Sequence, residues 1–362
     1  MHTSATGAAV GAEFPTHGLL PRTDTQAADF VRKHPGCDGR GTVVAILDTG
    51  IDPGAHGLQV TSDGKRKVVD YIDCTGSGDV VLGAPVKCAG DALELRAVSG
   101  RTLRLNPAWK NPSGEWRIGA KRYYDIAPAE AAATTRTERE ERFRKTAQQL
   151  RDTVDARKAE AKADGKADDS DEGAELDAQA AVLAALGEAY SDLGPLLDCV
   201  VFHDGEQWRT AIDTGETGDL TAAAALGAYR HTGDVALLNK RQLLYYTVNF
   251  YDSGRTLSIV TSVGSHSTHV AGILAANHPD EPQNNGVAPG AQLLSLMIGD
   301  HRVGSMETGV GLTRAVNAIV EHGADLANMS FGEPTATPNT GQWVQAVRSE
   351  VIRRHRCLFV SS

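Results

Sequence analysis

Five consecutive apolar residues, Val43-Val44-Ala45-Ile46-Leu47, run into Asp48-Thr49-Gly50. A strand with one wet face alternates apolar and polar residues. This run does not alternate, so both of its faces must be covered, as in the interior of a parallel sheet. Parallel strands need long crossovers, usually helices. The last hundred residues supply that rhythm. Helical signals at about 266–277, 308–323 and 341–355 separate apolar runs at 292–298, 326–330 and 357–360. The expected fold class is α/β, a parallel sheet with helices on both faces.

Between the Asp48 run and this region the rhythm breaks, which divides the chain into three expected parts. Residues 1–53 are a lead-in, with a short helix at 25–33, and the first strand. Residues 54–262 form a large α+β insert, and residues 263–362 continue the sheet. Within the insert, residues 54–125 carry turn signals such as Gly76-Ser77-Gly78-Asp79 and Asn111-Pro112-Ser113-Gly114. Residues 128–190 are rich in Ala, Glu, Arg and Asp. Phe143, Ala147, Leu150 and Val154 share one helical face, and Leu176, Leu183, Leu186 and Tyr190 share another. The acidic, glycine-broken stretch 164–173 lies between them, so a helical hairpin with a solvated tip is expected. Strand-like segments return at 199–202, 243–250 and 257–261.

Composition excludes several classes. With 41% hydrophobic residues the chain can bury a large core, and its net charge of -10 argues against a nucleic-acid partner. No window approaches the roughly 20 apolar residues that span a bilayer. Residues 1–18 lack the basic and apolar regions of a secretory leader. The five cysteines include no CxxC pair, which fits free thiols in a reducing compartment. The expectation is a cytoplasmic protein with no membrane partner.

Two residues carry candidate chemistry. Asp48 falls at the carboxyl end of the buried strand, where open α/β sheets place their sites. An acid there can orient a histidine and stabilise its imidazolium. The plain alternative is an acid capping the turn at Gly50. His266 opens the helix His266-Ser267-Thr268-His269-Val270-Ala271-Gly272. Zinc-binding helices usually space their histidines four apart around a glutamate base. His266 and His269 are three apart without one, so no metal and no cofactor are expected. A lone histidine here would be structural; together with the Asp48 strand it reads as a base.

At these residues the chain resembles the subtilases, serine peptidases whose triad runs Asp, His, Ser along the sequence. Residues 44–52 are similar to the Asp motif and 266–272 to the His motif. Asn328-Met329-Ser330-Phe331-Gly332 is similar to the strand that lines the substrate cleft. More narrowly the chain resembles the N-terminal part of the tripeptidyl-peptidase II family. Phe14-Pro15-Thr16-His17-Gly18-Leu19-Leu20-Pro21, Asn285-Gly286-Val287-Ala288-Pro289-Gly290 and Met306-Glu307-Thr308-Gly309 carry that likeness. The insert of about two hundred residues belongs to the likeness too. It implies Asp48 as the orienting acid and His266 as the general base. It also implies that Glu307 and Glu333 anchor the substrate's free amine, with Ser330, Phe331 and Gly332 along the bound peptide. The implied activity is release of tripeptides from oligopeptides, in large homo-oligomers. Ser267 stands where the family has glycine. The family's oxyanion Asn and nucleophilic Ser lie beyond the strand that holds Val360-Ser361-Ser362, and no Gly-Thr-Ser-Met-Ala-like segment occurs in these residues. A domain truncated at its C-terminal side and inactive alone is therefore expected.

Two rivals use the same residues. Asp-Thr-Gly occurs again at Asp213-Thr214-Gly215, and two such acids could share a proton in an aspartic protease. Asp213, however, is followed by the acidic turn Glu216-Thr217-Gly218-Asp219, and that reading leaves His266–Gly272 without a role. The missing serine also fits a non-catalytic protein that binds peptides or sibling subunits.

Overall fold

The computed structural model describes residues 21–88, 93–163, 171–332 and 337–362. At its centre five parallel strands lie in the order Leu358–Ser361, Leu326–Met329, Val43–Asp48, Gln292–Met297, Val68–Asp73. The Asp48 strand is thus the middle one, which explains its unbroken apolar run. Ala45 and Leu47 point to one face and pack against Ala315 and Ile319 of the helix Gly309–Glu321 and Val351 of the helical stretch that follows residue 342. Val44 and Ile46 point to the other face, toward Ala271 and Ala275 of the helix His266–Ala275. Truncating a fully buried side chain such as Leu47 to Ala costs about 2–5 kcal/mol.

The outer strand Val68–Asp73 lies inside the stretch read from sequence as insert. Its pattern is masked by Asp70 and Asp73, both buried. Asp70 faces His322 at 3.1 Å, and Asp73 accepts the N–H groups of Thr75 and Gly78 at 2.8 and 2.7 Å. Polar partners let two carboxyls sit in a buried strand.

Beyond Asp73 two four-stranded antiparallel sheets face each other. One orders Ala236–Asn239, Leu244–Tyr251, Thr256–Thr261 and Asp79–Val81; the other orders Arg117–Arg122, Leu196–His203, Trp208–Ile212 and Leu226–Gly227. Val248, Leu257 and Ile259 of the first meet Leu197, Cys199 and Val201 of the second. The helices Ala129–Ala163 and Asp171–Ala189 form a hairpin rooted by Arg139, which pairs with Asp192 at 2.8 Å and Glu216 at 3.0 Å. Ala147, Val154 and Leu176 are buried in its seam, whereas Leu150 and Leu186 stand about half exposed. Two helices have no third layer to cover the flanks of their seam. Much of the acidic tip, 164–170, lies outside the described residues.

The strand Thr256–Thr261 belongs to the insert and leads through residues 262–265 into the His266 helix. The insert therefore delivers His266 to the carboxyl end of the central sheet, where Asp48 ends its strand.

Candidate active site

Asp48 is fully buried. Its Oδ1 accepts the N–H of Thr49 at 2.7 Å, and its two oxygens lie 3.0 and 2.8 Å from His266 Nδ1. An ionised carboxylate can only accept, so Nδ1 carries the proton and Nε2 keeps its lone pair. The His266 side chain is 53% exposed while Asp48 is wholly covered. The arrangement holds an imidazole in one tautomer, stabilises its protonated form from below, and leaves Nε2 open to a reacting group.

Short polar ties fix the pair. Gly50 has φ +87°, and a Cβ there would sit 3.0 Å from the carbonyl of Thr261, so the turn after Asp48 lies close against the strand that brings in His266. Thr49 donates its hydroxyl to the carbonyl of Gly264 at 3.2 Å and accepts the N–H of Ser267 at 3.3 Å. The N–H of Asp52 donates to Thr268 Oγ1 at 2.9 Å, and that of Ile51 to Ser295 Oγ at 3.0 Å. These supporting hydroxyls were not singled out from sequence. A small polar residue inside a buried run, such as Ser295 in Gln292–Met297, was the available signal.

The other candidates divide. The N–H of Ile298 donates to the Asp48 carbonyl at 2.8 Å, and the next residue, Gly299, pairs with Glu307 in the short ladder Gly299–Asp300/Met306–Glu307. The Phe331 ring reaches within 3.0 Å of where a Cβ on Gly299 would lie. Glu307 and Phe331 therefore converge on one backbone position beside the Asp48 strand. Glu307 stands one residue before Thr308, the N-cap of the helix Gly309–Glu321. Ser330 follows the strand Leu326–Met329, and its Oγ accepts from Asn328 Nδ2 at 3.0 Å; Gly332 is exposed. Glu333 lies outside the described residues. Asp213 is not brought to Asp48. It is buried at the end of an insert strand, where its oxygens accept the N–H groups of Thr217 and Gly218 at 3.1 and 2.8 Å.

Beside His266 opens a recess of about 740 Å³, walled by Gly264, Ser265, Thr268 and His269 on one side and by Glu130 and Leu243 of the insert on the other. A second cavity, about 610 Å³, lies between the helix Gly309–Glu321 and the insert. Its lining includes the ion-paired Arg314 and Asp79 and none of the candidate residues. Among the described residues no helix is long and apolar enough to cross a membrane.

Comparison with known proteins gives these residues a family. The model of the Subtilase family matches residues 39–362. Tripeptidyl-peptidase 2 of Arabidopsis thaliana is 43% identical over 356 residues, 95% of this chain and 26% of that protein. Tripeptidyl-peptidase 2 of Caenorhabditis elegans is 39% identical over 350 residues, 95% of this chain and 25% of that protein. The crystal structure of tripeptidyl peptidase 2 superposes with a TM-score of 0.72 at 29% identity, covering 92% of this chain and 26% of the other. The chain thus spans about a quarter of the length of these relatives. The family match takes in the Asp48 strand, the His266 helix and all the sheet between them, and on it the chain belongs to the subtilase family of peptidases.

Proposed function

We propose that this chain forms the acid–base half of a serine-peptidase site whose reaction is the release of tripeptides from the free N-termini of oligopeptides. The observation that carries the reading is the contact of His266 Nδ1 with buried Asp48 at 2.8 Å. In this reading His266 Nε2 takes the proton of a serine hydroxyl as it attacks the scissile carbonyl. Asp48 stabilises the imidazolium, which then protonates the leaving amine. Among the described residues no hydroxyl is hydrogen-bonded to the His266 ring. The nucleophile and the oxyanion amide that complete such a site are assigned to none of the residues described.

The tripeptide product is supported by the names of the relatives, and in this reading Glu307 holds the substrate's amine. A carboxylate on a cleft wall holds a substrate ammonium through charge-assisted hydrogen bonds. With Glu333 it would anchor the chain end a fixed distance from the bond cut, while the backbone of residues 330–332 pairs with the peptide. The reaction needs no metal or cofactor. A cytoplasmic location and assembly into homo-oligomers belong to the same reading.

The test joins this chain to the C-terminal remainder of the Arabidopsis thaliana relative and supplies one decapeptide, free and N-acetylated. Tripeptides from the free form alone, abolished by His266→Ala, are expected in the mass spectrum. Cleavage that ignores the amine would remove the aminopeptidase reading. Peptide binding without cleavage would favour the non-catalytic one.

A further inference from the structure

Lys67 is fully buried, and its ammonium faces three backbone carbonyls instead of a carboxylate. Nζ donates to Ala275 and Pro289 at 2.6 Å each and to Ala291 at 3.1 Å. Those acceptors belong to the two elements that set the geometry of the active pair. Ala275 is the last residue of the helix that begins with His266. Pro289 and Ala291 lie in the loop that enters the strand Gln292–Met297, which pairs along the whole Asp48 strand, Asp48 opposite Met297. The carbonyl of Lys67 itself accepts the N–H of Leu293 at 2.8 Å.

The helix end explains why a cation is wanted. The last carbonyls of a helix have no partners within it. Here the N–H groups of Val287, Ala288 and Gly286 serve the carbonyls of Ile273, Leu274 and Ala276. The carbonyl of Ala275 is served by Lys67. An ammonium has three N–H bonds for three acceptors, and a positive charge at a helix C-terminus is favoured by the helix dipole. The charges that pull on it, Asp38 and Asp63, form no ion pair with it. Asp38 is bonded to Arg40 and Ser62, and Asp63 to Lys65 and Thr61.

We propose that Lys67 is a positioning residue for the Asp48–His266 pair, bolting the far end of the base's helix to the sheet that carries the acid. A helix of ten residues is a rod of roughly 15 Å, so freedom at Ala275 becomes displacement at His266. The proposal rests on the reading of that pair as catalytic, but its first test reads geometry and not turnover. The full chain carrying ¹⁵N-histidine is compared with Lys67→Met, which keeps the stem and removes the donors. The wild type is expected to show His266 as one tautomer with a low-field Nδ1 proton. Lys67→Met should show that proton broadened or lost and the tautomers mixed. A variant that melts lower yet keeps the wild-type His266 signal would make Lys67 a core residue only and overturn the proposal.

A measurement on the wild type decides if the variant does not fold. Burial pushes the Lys67 ammonium down to about 8, against the pull of Asp38 and Asp63. A neutral amine offers two donors to three carbonyls. The His266 Nδ1 proton should therefore change in step with Lys67 as pH is raised through that value, and constancy across it would overturn the proposal. In the joined protein Lys67→Met should lower kcat about tenfold to a hundredfold, the scale of a misplaced catalytic group, with KM little changed.

Discussion

The backbone N–H of Asp52 donates to the hydroxyl oxygen of Thr268 across 2.9 Å, joining the turn after Asp48 to the helix that opens with His266. The two residues are 216 positions apart in the chain, so the bond is a tertiary clasp and not a local turn.

Thr268→Val keeps the shape and removes the acceptor. Leaving the Asp52 N–H without its partner should cost about 1–3 kcal/mol. Urea unfolding followed by tryptophan fluorescence measures it. An unchanged midpoint would mean that solvent satisfies that N–H and the clasp contributes nothing.

Asp48→Asn should reverse the histidine. The Thr49 N–H keeps the amide oxygen in the Oδ1 place, so the amide NH2 takes the Oδ2 place, 2.8 Å from Nδ1, and donates to it. Nδ1 then accepts, Nε2 carries the proton, and the base is lost. ¹⁵N chemical shifts of His266 should report the opposite tautomer. In the joined protein kcat should fall by about four orders of magnitude, the scale seen when a triad acid is made an amide.

Ser267 is fully buried, and its Oγ has no hydrogen-bond partner among the described residues. Ser267→Ala removes a desolvated hydroxyl at a helical position and should stabilise the chain by about 1 kcal/mol. Calorimetry should show a higher Tm. A lower one would mean that the hydroxyl has a water partner that the folded chain needs.

Acid should loosen the tip between the strands Leu196–His203 and Trp208–Ile212. Burial raises the pKa of Asp204, but bonds from Arg209 and the N–H groups of Gln207 and Glu206 outweigh it and bring the group down to about 2. A carboxyl depressed in the folded state stabilises it above the ordinary value of 3.8, and that contribution is lost as pH falls toward 2. Asp204→Asn should therefore flatten the stability profile in this window while leaving its shape at neutral pH. Identical acid profiles for both proteins would contradict the assignment.

What the sequence made legible follows from periodicity and local motif. The unbroken run before Asp48 marks a strand covered on both faces, and the structure puts it in the middle of the sheet. The Val68–Asp73 strand was not legible because Asp70 and Asp73 look like surface residues until their partners, His322 and the turn at 75–78, are in place. Leu150 shares the period of Ala147 and Val154, yet the period does not say whether another layer covers it. At the site, Asp48 and His266 stand out through their neighbours in sequence. Lys67 and Thr268 do not, since their roles are contacts with backbone groups some two hundred residues away.

The insert that ends in the His266 helix also sets an order of events. Asp48 and His266 are 218 residues apart, and closing a flexible loop of that length would cost roughly 5 kcal/mol. A folded sandwich shortens that loop by holding its ends together. During synthesis Asp48 emerges well before His266, and every strand of the two antiparallel sheets is made in the interval. The contact between Asp48 and His266 therefore cannot form until the whole of that sandwich has been synthesised.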